Sequence, residues 1–206
     1  MKITQIGLNT KPTNKLMKRL SLYLFLILFT LQTPSQADDI RDFQLNGMSI
    51  GDSALKYFDK AKIEKNKMMH WYKNKKVTPV SIKVDGHNYD TLSFSYWTND
   101  KNYTIIEITG MKNYRDNVDQ CYKQKKDQIK IIEESFLGLR KKSTIDKHPA
   151  DKSGKSKVDK TSFKFKSGGF IKIACFDWSE KMNYKDHFRM GILSAEFDEW
   201  LKIAYK

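Results

Sequence analysis

Apolar and polar residues alternate in two segments of the first half of the chain, and a third segment is rich in β-branched residues, so the sequence predicts three consecutive strands. The segments span 80–84, 89–97 and 103–109. Asp85-Gly86 separates the first two, and this pair between alternating segments is typical of a two-residue hairpin turn. We therefore expect an antiparallel meander of three strands.

Apolar residues then recur every three or four positions, which predicts an amphipathic helix of about twenty residues. Val118, Cys121 and Phe136 belong to this series. Asp116 is placed to cap the start of the helix, and Gly138 suits its end. Cys121 would lie on the apolar face.

The last third of the chain predicts a hairpin and a final helix. The segments 161–166 and 170–178 flank a Ser-Gly-Gly sequence typical of a turn. Ser194 is placed to cap a C-terminal helix, with Phe197 and Trp200 facing inward.

Two further stretches are less regular. The segment at about 140–160 contains eight basic residues, Pro149 and Gly154, and this composition predicts a solvent-exposed basic loop. A short helix is predicted at 54–59, whereas 60–76 supports no assignment. The elements together predict an α+β fold. Antiparallel strands, a three-stranded meander plus a hairpin, would pack on a long amphipathic helix, with short N-terminal and C-terminal helices.

The first 37 residues indicate a signal peptide. Lys18-Arg19 precedes a nearly unbroken apolar run, 20–31, and Ser35-Gln36-Ala37 resembles a cleavage site. The run has about twelve residues, whereas a membrane-spanning helix needs roughly twenty. We therefore expect cleavage between Ala37 and Asp38, and no permanent membrane span afterwards. A shorter signal opens at Met17, and we hypothesise that translation starts there. Residues 38–206 would then form a single exported domain, periplasmic or secreted.

The charge of the chain changes once this segment is set aside. The 206 residues include 38 Lys and Arg against 24 Asp and Glu, a formal charge of +14. Residues 1–37 hold five of the basic residues and no acid, so the remainder carries +9. Aromatic residues make up 13%, which argues against a disordered chain because such rings need a core.

The chain has two cysteines, Cys121 and Cys175. In an exported protein this number predicts one disulfide between them. The alternative is a pair of buried free thiols.

Two serines lie in patterns that occur in serine enzymes. Ser49 is the centre of a G-x-S-x-G sequence, and Ser53 begins an S-x-x-K sequence. A serine hydrolase or a penicillin-interacting enzyme is therefore the alternative function. The chain is short for either fold, and Ser49 would be only the twelfth residue after cleavage. The four histidines show no metal-ligand spacing, so we expect no metal or other cofactor.

Lysine-rich segments offer a different function, contact with an anionic surface. The candidate contacts are Lys65, Lys67, Lys73, Lys75, Lys76, Lys152, Lys155 and Lys157. An envelope protein, an anionic lipid or an acidic glycan would suit them as a partner, and nothing in the sequence is specific for nucleic acid. Three aromatic residues, Phe176, Trp178 and Tyr184, are interpreted as core packing.

Several segments resemble a family of small exported proteins of marine alphaproteobacteria. They are 38–53 (DDIRDFQLNGMSIGDS), 151–157 (DKSGKSK) and 175–179 (CFDWS). That family has no assigned activity, so the resemblance implies export and no chemistry. The leading expectation is a non-catalytic binding or envelope-associated protein.

Overall fold

The computed structural model describes residues 39–85, 88–115 and 117–204. Its main feature is one antiparallel sheet of seven strands. The strands are β1 Val77–Lys83, β2 Thr91–Trp97, β3 Glu107–Arg115, β4 Arg140–Lys147, β5 Lys157–Lys164, β6 Phe170–Asp177 and β7 Asp186–Leu193.

The sheet consists of two parts that the last strand joins. Strands β1, β2 and β3 form one meander, and β4, β5 and β6 form another. Strand β7 lies between β3 and β6, so the order across the sheet is β1-β2-β3-β7-β6-β5-β4. Ile192 of β7 pairs with Ile108 on one side and with Ile171 on the other.

The helices are few and short compared with the sheet. Within the described residues they are α1 Lys60–Lys65, α2 Val118–Ser135 and α3 Ala195–Ala204, together with three single 3-10 turns. The Asn117 side chain caps α2 by accepting from the N–H of Gln120. Three predicted features lie outside the described residues: the signal peptide at 1–37 with its cleavage site between Ala37 and Asp38, the Asp116 cap, and the Gly86 position of the hairpin turn.

The predicted α+β architecture of a small sheet on a long helix is wrong. The fold is dominated by the sheet, which has seven strands where the sequence predicts five. Most of the expected basic loop at about 140–160 is strand: β4 fills 140–147 and β5 begins at Lys157, so only 148–156 is a loop. Strand β4 is one of the two edges of the sheet, where both faces of Arg140–Lys147 meet solvent and no apolar alternation is required. Strand β7 does alternate, through Phe188, Met190 and Ile192.

One face of the sheet carries the main core. Phe94, Ile108 and Ile192 are fully buried there, and α2 packs on this face. Cys121 of α2 and Cys175 of β6 form a disulfide with Cα atoms 5.9 Å apart, which confirms the predicted pairing. The bond therefore ties the helix to the sheet that it covers.

The opposite face of the sheet is only partly covered. Because neighbouring residues of a strand point to opposite faces, Val77, Trp97 and Leu193 lie on this second face. Helix α3 covers that end through Phe197 and Trp200. The other end of the second face, around residues 187–189 of β7, is not covered by any helix that the structure describes, and it forms the site described next.

Candidate functional site

A depression of about 640 Å³ lies at the uncovered end of the second face. Its floor consists of side chains from three adjacent strands: Asn113 of β3, His187 and Arg189 of β7, and Phe176 of β6. His187 pairs with both Asn113 and Phe176 in the sheet register, so these side chains form one row across the strands. We call this depression the aromatic cleft.

Aromatic rings from three separate segments form the walls. The Trp178 ring lies 4.2 Å from the His148 ring and 4.8 Å from the Tyr184 ring, centre to centre. The planes of these pairs are tilted by 49° and 65°. Trp71 lines the cleft from a third segment. The wall rings are therefore tilted against one another, whereas Trp178 lies nearly parallel to the Phe176 ring of the floor, at 18°.

Two of these rings are unusually exposed. Trp71 is 56% exposed and Tyr184 is 61% exposed. Tyr72, the neighbour of Trp71, is buried. Its ring packs edge-on against Trp200 with the ring centres 4.7 Å apart, and this contact fixes the loop beside α3. Tyr184 follows Asn183, whose left-handed conformation ends a 3-10 turn. Asparagine tolerates this conformation better than most residues do. Local structure thus holds both rings at the surface.

The loop that carries His148 is fixed by a buried carboxylate. Asp151 accepts from the hydroxyls of Ser156 and Ser179, at 2.6 and 2.8 Å, and from the backbone N–H of Ser153. The Ser156 hydroxyl, followed by the side chain of Ser153 and that of Ser179, lowers the pKa of Asp151. Ser179 is next to Trp178, so this network joins the His148 loop to the strand end that carries the other wall.

Two polar atoms among the lining residues have no partner within the described part of the chain. They are the indole Nε1 of Trp178 and Nε2 of His187, both buried. The other ring nitrogen of His187, Nδ1, donates to the carbonyl of Lys185 at 3.0 Å. Burial lowers the pKa of His187 to about 4, so the ring is neutral at pH 7. In this form Nε2 is an acceptor, whereas the Trp178 N–H is a donor.

The floor also carries a cation. The guanidinium of Arg189 lies 4.9 Å from the centre of the Phe176 ring, and the residue as a whole is exposed. Crowding against its neighbours desolvates the guanidinium and lowers the pKa of Arg189, whereas the charge of Glu107 acts in the opposite direction. Glu107 is itself engaged by the hydroxyls of Thr109 and Ser95, and burial raises its pKa. Among the described ion pairs, none involves Arg189.

The structure separates the predicted lysine contacts from this site. The cations that line the cleft are Lys185 and Arg189, which the sequence did not single out. Lys67 forms an ion pair with Glu64 at 2.6 Å. The other candidates are exposed: Lys65, Lys73, Lys75 and Lys76 lie in or after α1, and Lys152, Lys155 and Lys157 lie in the His148 loop or at the start of β5. The two lysine-rich segments nevertheless supply Trp71 and His148 to the cleft.

The two candidate serines are placed for turn formation. The Ser53 hydroxyl donates to the carbonyl of Asn102 at 2.6 Å and accepts from the N–H of Leu55. Ser49 donates its backbone N–H to the carboxylate of Asp52. In the part of the chain that the structure describes, neither hydroxyl is hydrogen-bonded to a histidine.

The sequence contained signals for the residues that were missed. The alternation of Phe188, Met190 and Ile192 predicts a strand, and it would have placed His187 and Arg189 together on its other face. The aromatic character of Phe176, Trp178 and Tyr184 predicts core packing, whereas Tyr184 is mostly exposed. Trp71 lies in a loop without periodicity, so its position had no sequence signal.

Comparison with protein-family models, with curated proteins and with solved structures gives no match for this chain. No group of three or more His, Cys, Asp or Glu side chains is placed to hold a metal ion within residues 39–85, 88–115 and 117–204. None of the helices described above is long and apolar enough to cross a membrane.

Proposed function

We propose that the protein is an exported, non-catalytic binding module and that the aromatic cleft is its ligand site. The observation that carries the proposal is the combination of exposed rings, a cation that has no ion-pair partner among the described residues, and a concave floor. Binding sites are typically concave and mostly apolar, with a few polar groups that orient the ligand. Exposed aromatic clusters of this kind are otherwise unfavourable on a protein surface.

The compartment is supported by the disulfide. Disulfides persist in oxidising compartments and are rare in the cytosol. Cys121–Cys175 therefore fits a periplasmic or secreted protein, in agreement with the signal sequence predicted at 1–37.

The four tryptophans provide a direct test of the ligand site. Trp71 and Trp178 line the cleft, whereas Trp97 and Trp200 pack in the α3 cluster and serve as internal controls. In ¹⁵N-labelled protein each indole gives one N–H signal. The probes are glucose, galacturonate, adenosine monophosphate, acetate and tyrosine, each added separately.

We expect at least one probe to shift the Trp71 and Trp178 signals and leave those of Trp97 and Trp200 in place. The variant Trp71→Ala should weaken that response, and the matched variant Met69→Ala should not, because Met69 is exposed in the same loop but does not line the cleft. If no probe moves the two cleft signals, the assignment of the ligand site fails.

The serine hydrolase remains a separate hypothesis with a separate test. The Ser53 hydroxyl already serves as donor and acceptor in a turn, which favours a structural role. Treatment with a fluorophosphonate or a β-lactam probe, followed by peptide mapping, should leave Ser49 and Ser53 unlabelled. Covalent labelling at either serine would contradict the non-catalytic function.

A further inference from the structure

We propose that the ligand of the aromatic cleft is a sugar ring that bears an anionic group, as in an acidic oligosaccharide. This inference rests on the proposed function and adds the chemical class of the ligand. Three properties of the cleft point to it: tilted exposed rings, a buried donor and acceptor, and a cation on the floor.

The aromatic walls match the shape of a sugar. A pyranose has an apolar C–H face and a rim of hydroxyls, so it packs on an aromatic ring while its polar groups stay at the edge. The Trp178 and Tyr184 rings contact each other with their centres 4.8 Å apart, so the sugar packs on their outer faces and on that of Trp71.

The two unpartnered polar atoms match a hydroxyl. The Trp178 N–H can donate, and the neutral His187 Nε2 can accept. A hydroxyl is both an acceptor and a donor, so one hydroxyl, or two neighbouring ones, can satisfy both atoms. Neighbouring side chains cover these atoms, and a ligand therefore reaches them only with a small displacement of the exposed rings.

Arg189 and Lys185 are the two cations of the cleft that can bind an anionic group on the ligand. A guanidinium is planar and forms paired hydrogen bonds with a carboxylate or a sulfate. Because Arg189 is partly desolvated and has no described ion-pair partner, an anion beside it interacts more strongly than at a fully hydrated lysine.

The charges beyond the cleft argue against a nucleic acid. A single strand needs a basic groove that follows several phosphates. On the same face of the sheet, Lys160 is paired with Asp146 at 2.6 Å and Lys172 with Asp198 at 3.0 Å. These ion pairs neutralise two cations of the sheet beside the cleft, so these strands do not form a continuous basic groove across the sheet.

The test uses calorimetry on the disulfide-bonded chain 38–206. The probes are trigalacturonate, its methyl ester, a sulfated galactose trisaccharide and the single-stranded hexanucleotide of thymidine. We expect trigalacturonate or the sulfated sugar to bind at least tenfold more tightly than the methyl ester, and the stronger of the two identifies the anionic group.

Three variants separate charge from stacking. Arg189→Gln should remove the preference for the acid over its ester, because the guanidinium recognises the charge. Trp71→Ala should lower the affinities for the acid and for the ester by similar factors, because stacking does not depend on charge. Lys202→Gln, an exposed change on α3, should leave all affinities unchanged. Thermal melting of each variant checks that it is folded.

The outcomes distinguish this inference from the proposed function. Equal affinity for acid and ester, together with shifts of the cleft indoles, would overturn the anionic class and leave the binding module standing. Tighter binding of the hexanucleotide in the same cleft would overturn the sugar class. If neither these probes nor the five small ones shift the cleft indoles, both proposals fail.

Discussion

At the scale of single residues, His187 gives the floor of the cleft a dependence on pH. Its side chain is 8% exposed, and burial lowers its pKa from 6.5 to about 4. Between these pH values the unfolded chain binds a proton that the folded chain does not bind. The free energy of unfolding therefore falls as the pH is lowered from about 6.5 to about 4, and the stabilisation is complete above this window.

The variant His187→Gln should have a shallower pH profile than the native protein. By about pH 4.5 the native chain should lose on the order of 2 kcal/mol more than the variant does. Urea unfolding at a series of pH values measures this difference, and carboxylates that are common to both proteins cancel from it. Parallel profiles would mean that His187 titrates normally in the folded protein.

The same scale shows what residue type alone could not predict. Trp178 and Tyr184 are large aromatic residues, and residue type alone therefore suggests that they pack in the core. The exposure of Tyr184 and the half-buried position of Trp178 depend on the turn at Asn183 and on the Asp151 network, which bring distant segments together. Contacts of this kind carry no local signal in the sequence.

At the scale of elements, the disulfide between α2 and β6 ties the helix covalently to the sheet. It closes a segment with a sequence separation of 54. Restriction of the unfolded chain over that length gives a stabilisation of about 4 kcal/mol. The double variant Cys121→Ala/Cys175→Ala should lose about this free energy of unfolding in urea titrations. A loss below about 1 kcal/mol would show that packing of α2 alone holds the helix in place.

The loop 148–156 depends on one carboxylate, and this leads to a prediction about proteolysis. Asp151→Asn replaces an acceptor of several hydrogen bonds with a group that also donates, so the loop should open more often. Brief trypsin treatment should cut after Lys152 and Lys155 faster than in the native protein. Ser143→Ala, on the neighbouring edge strand, serves as a control that should not change the rate. Equal rates for Asp151→Asn and the native protein would show that other contacts hold this loop.

Elements were predictable where a face is buried and unpredictable where it is not. The strands β2 and β6 alternate because one of their faces meets the core, and α2 repeats at helical spacing for the same reason. Strand β4 has exposed residues on both faces, and its sequence Arg-Lys-Lys-Ser-Thr-Ile-Asp-Lys has the composition of a loop. Its strand conformation comes from pairing with β5, which is a tertiary effect.

At the scale of the whole molecule, export remains a prediction with a direct measurement. Protein recovered from the periplasm of a Gram-negative host, treated with an alkylating agent and no reductant, should have a mass that begins at Asp38. It should also lack two hydrogens and carry no alkyl group, because the thiols are joined. A full-length mass with two alkylated cysteines would contradict both the cleavage and the oxidising compartment.

The central position of β7 has a consequence for the order of folding. The strand that joins the two meanders is the last strand of the chain, Asp186–Leu193. During synthesis the N-terminal part of the chain leaves the ribosome first, so both meanders can form before β7 is available. The sheet cannot close until β7 has also left the ribosome. Until then β3 and β6 present unpaired edges, which are prone to intermolecular pairing. Contacts between distant parts of a chain also form slowly. We therefore expect closure of the sheet to be a late, rate-limiting event, and a truncation before β7 to aggregate.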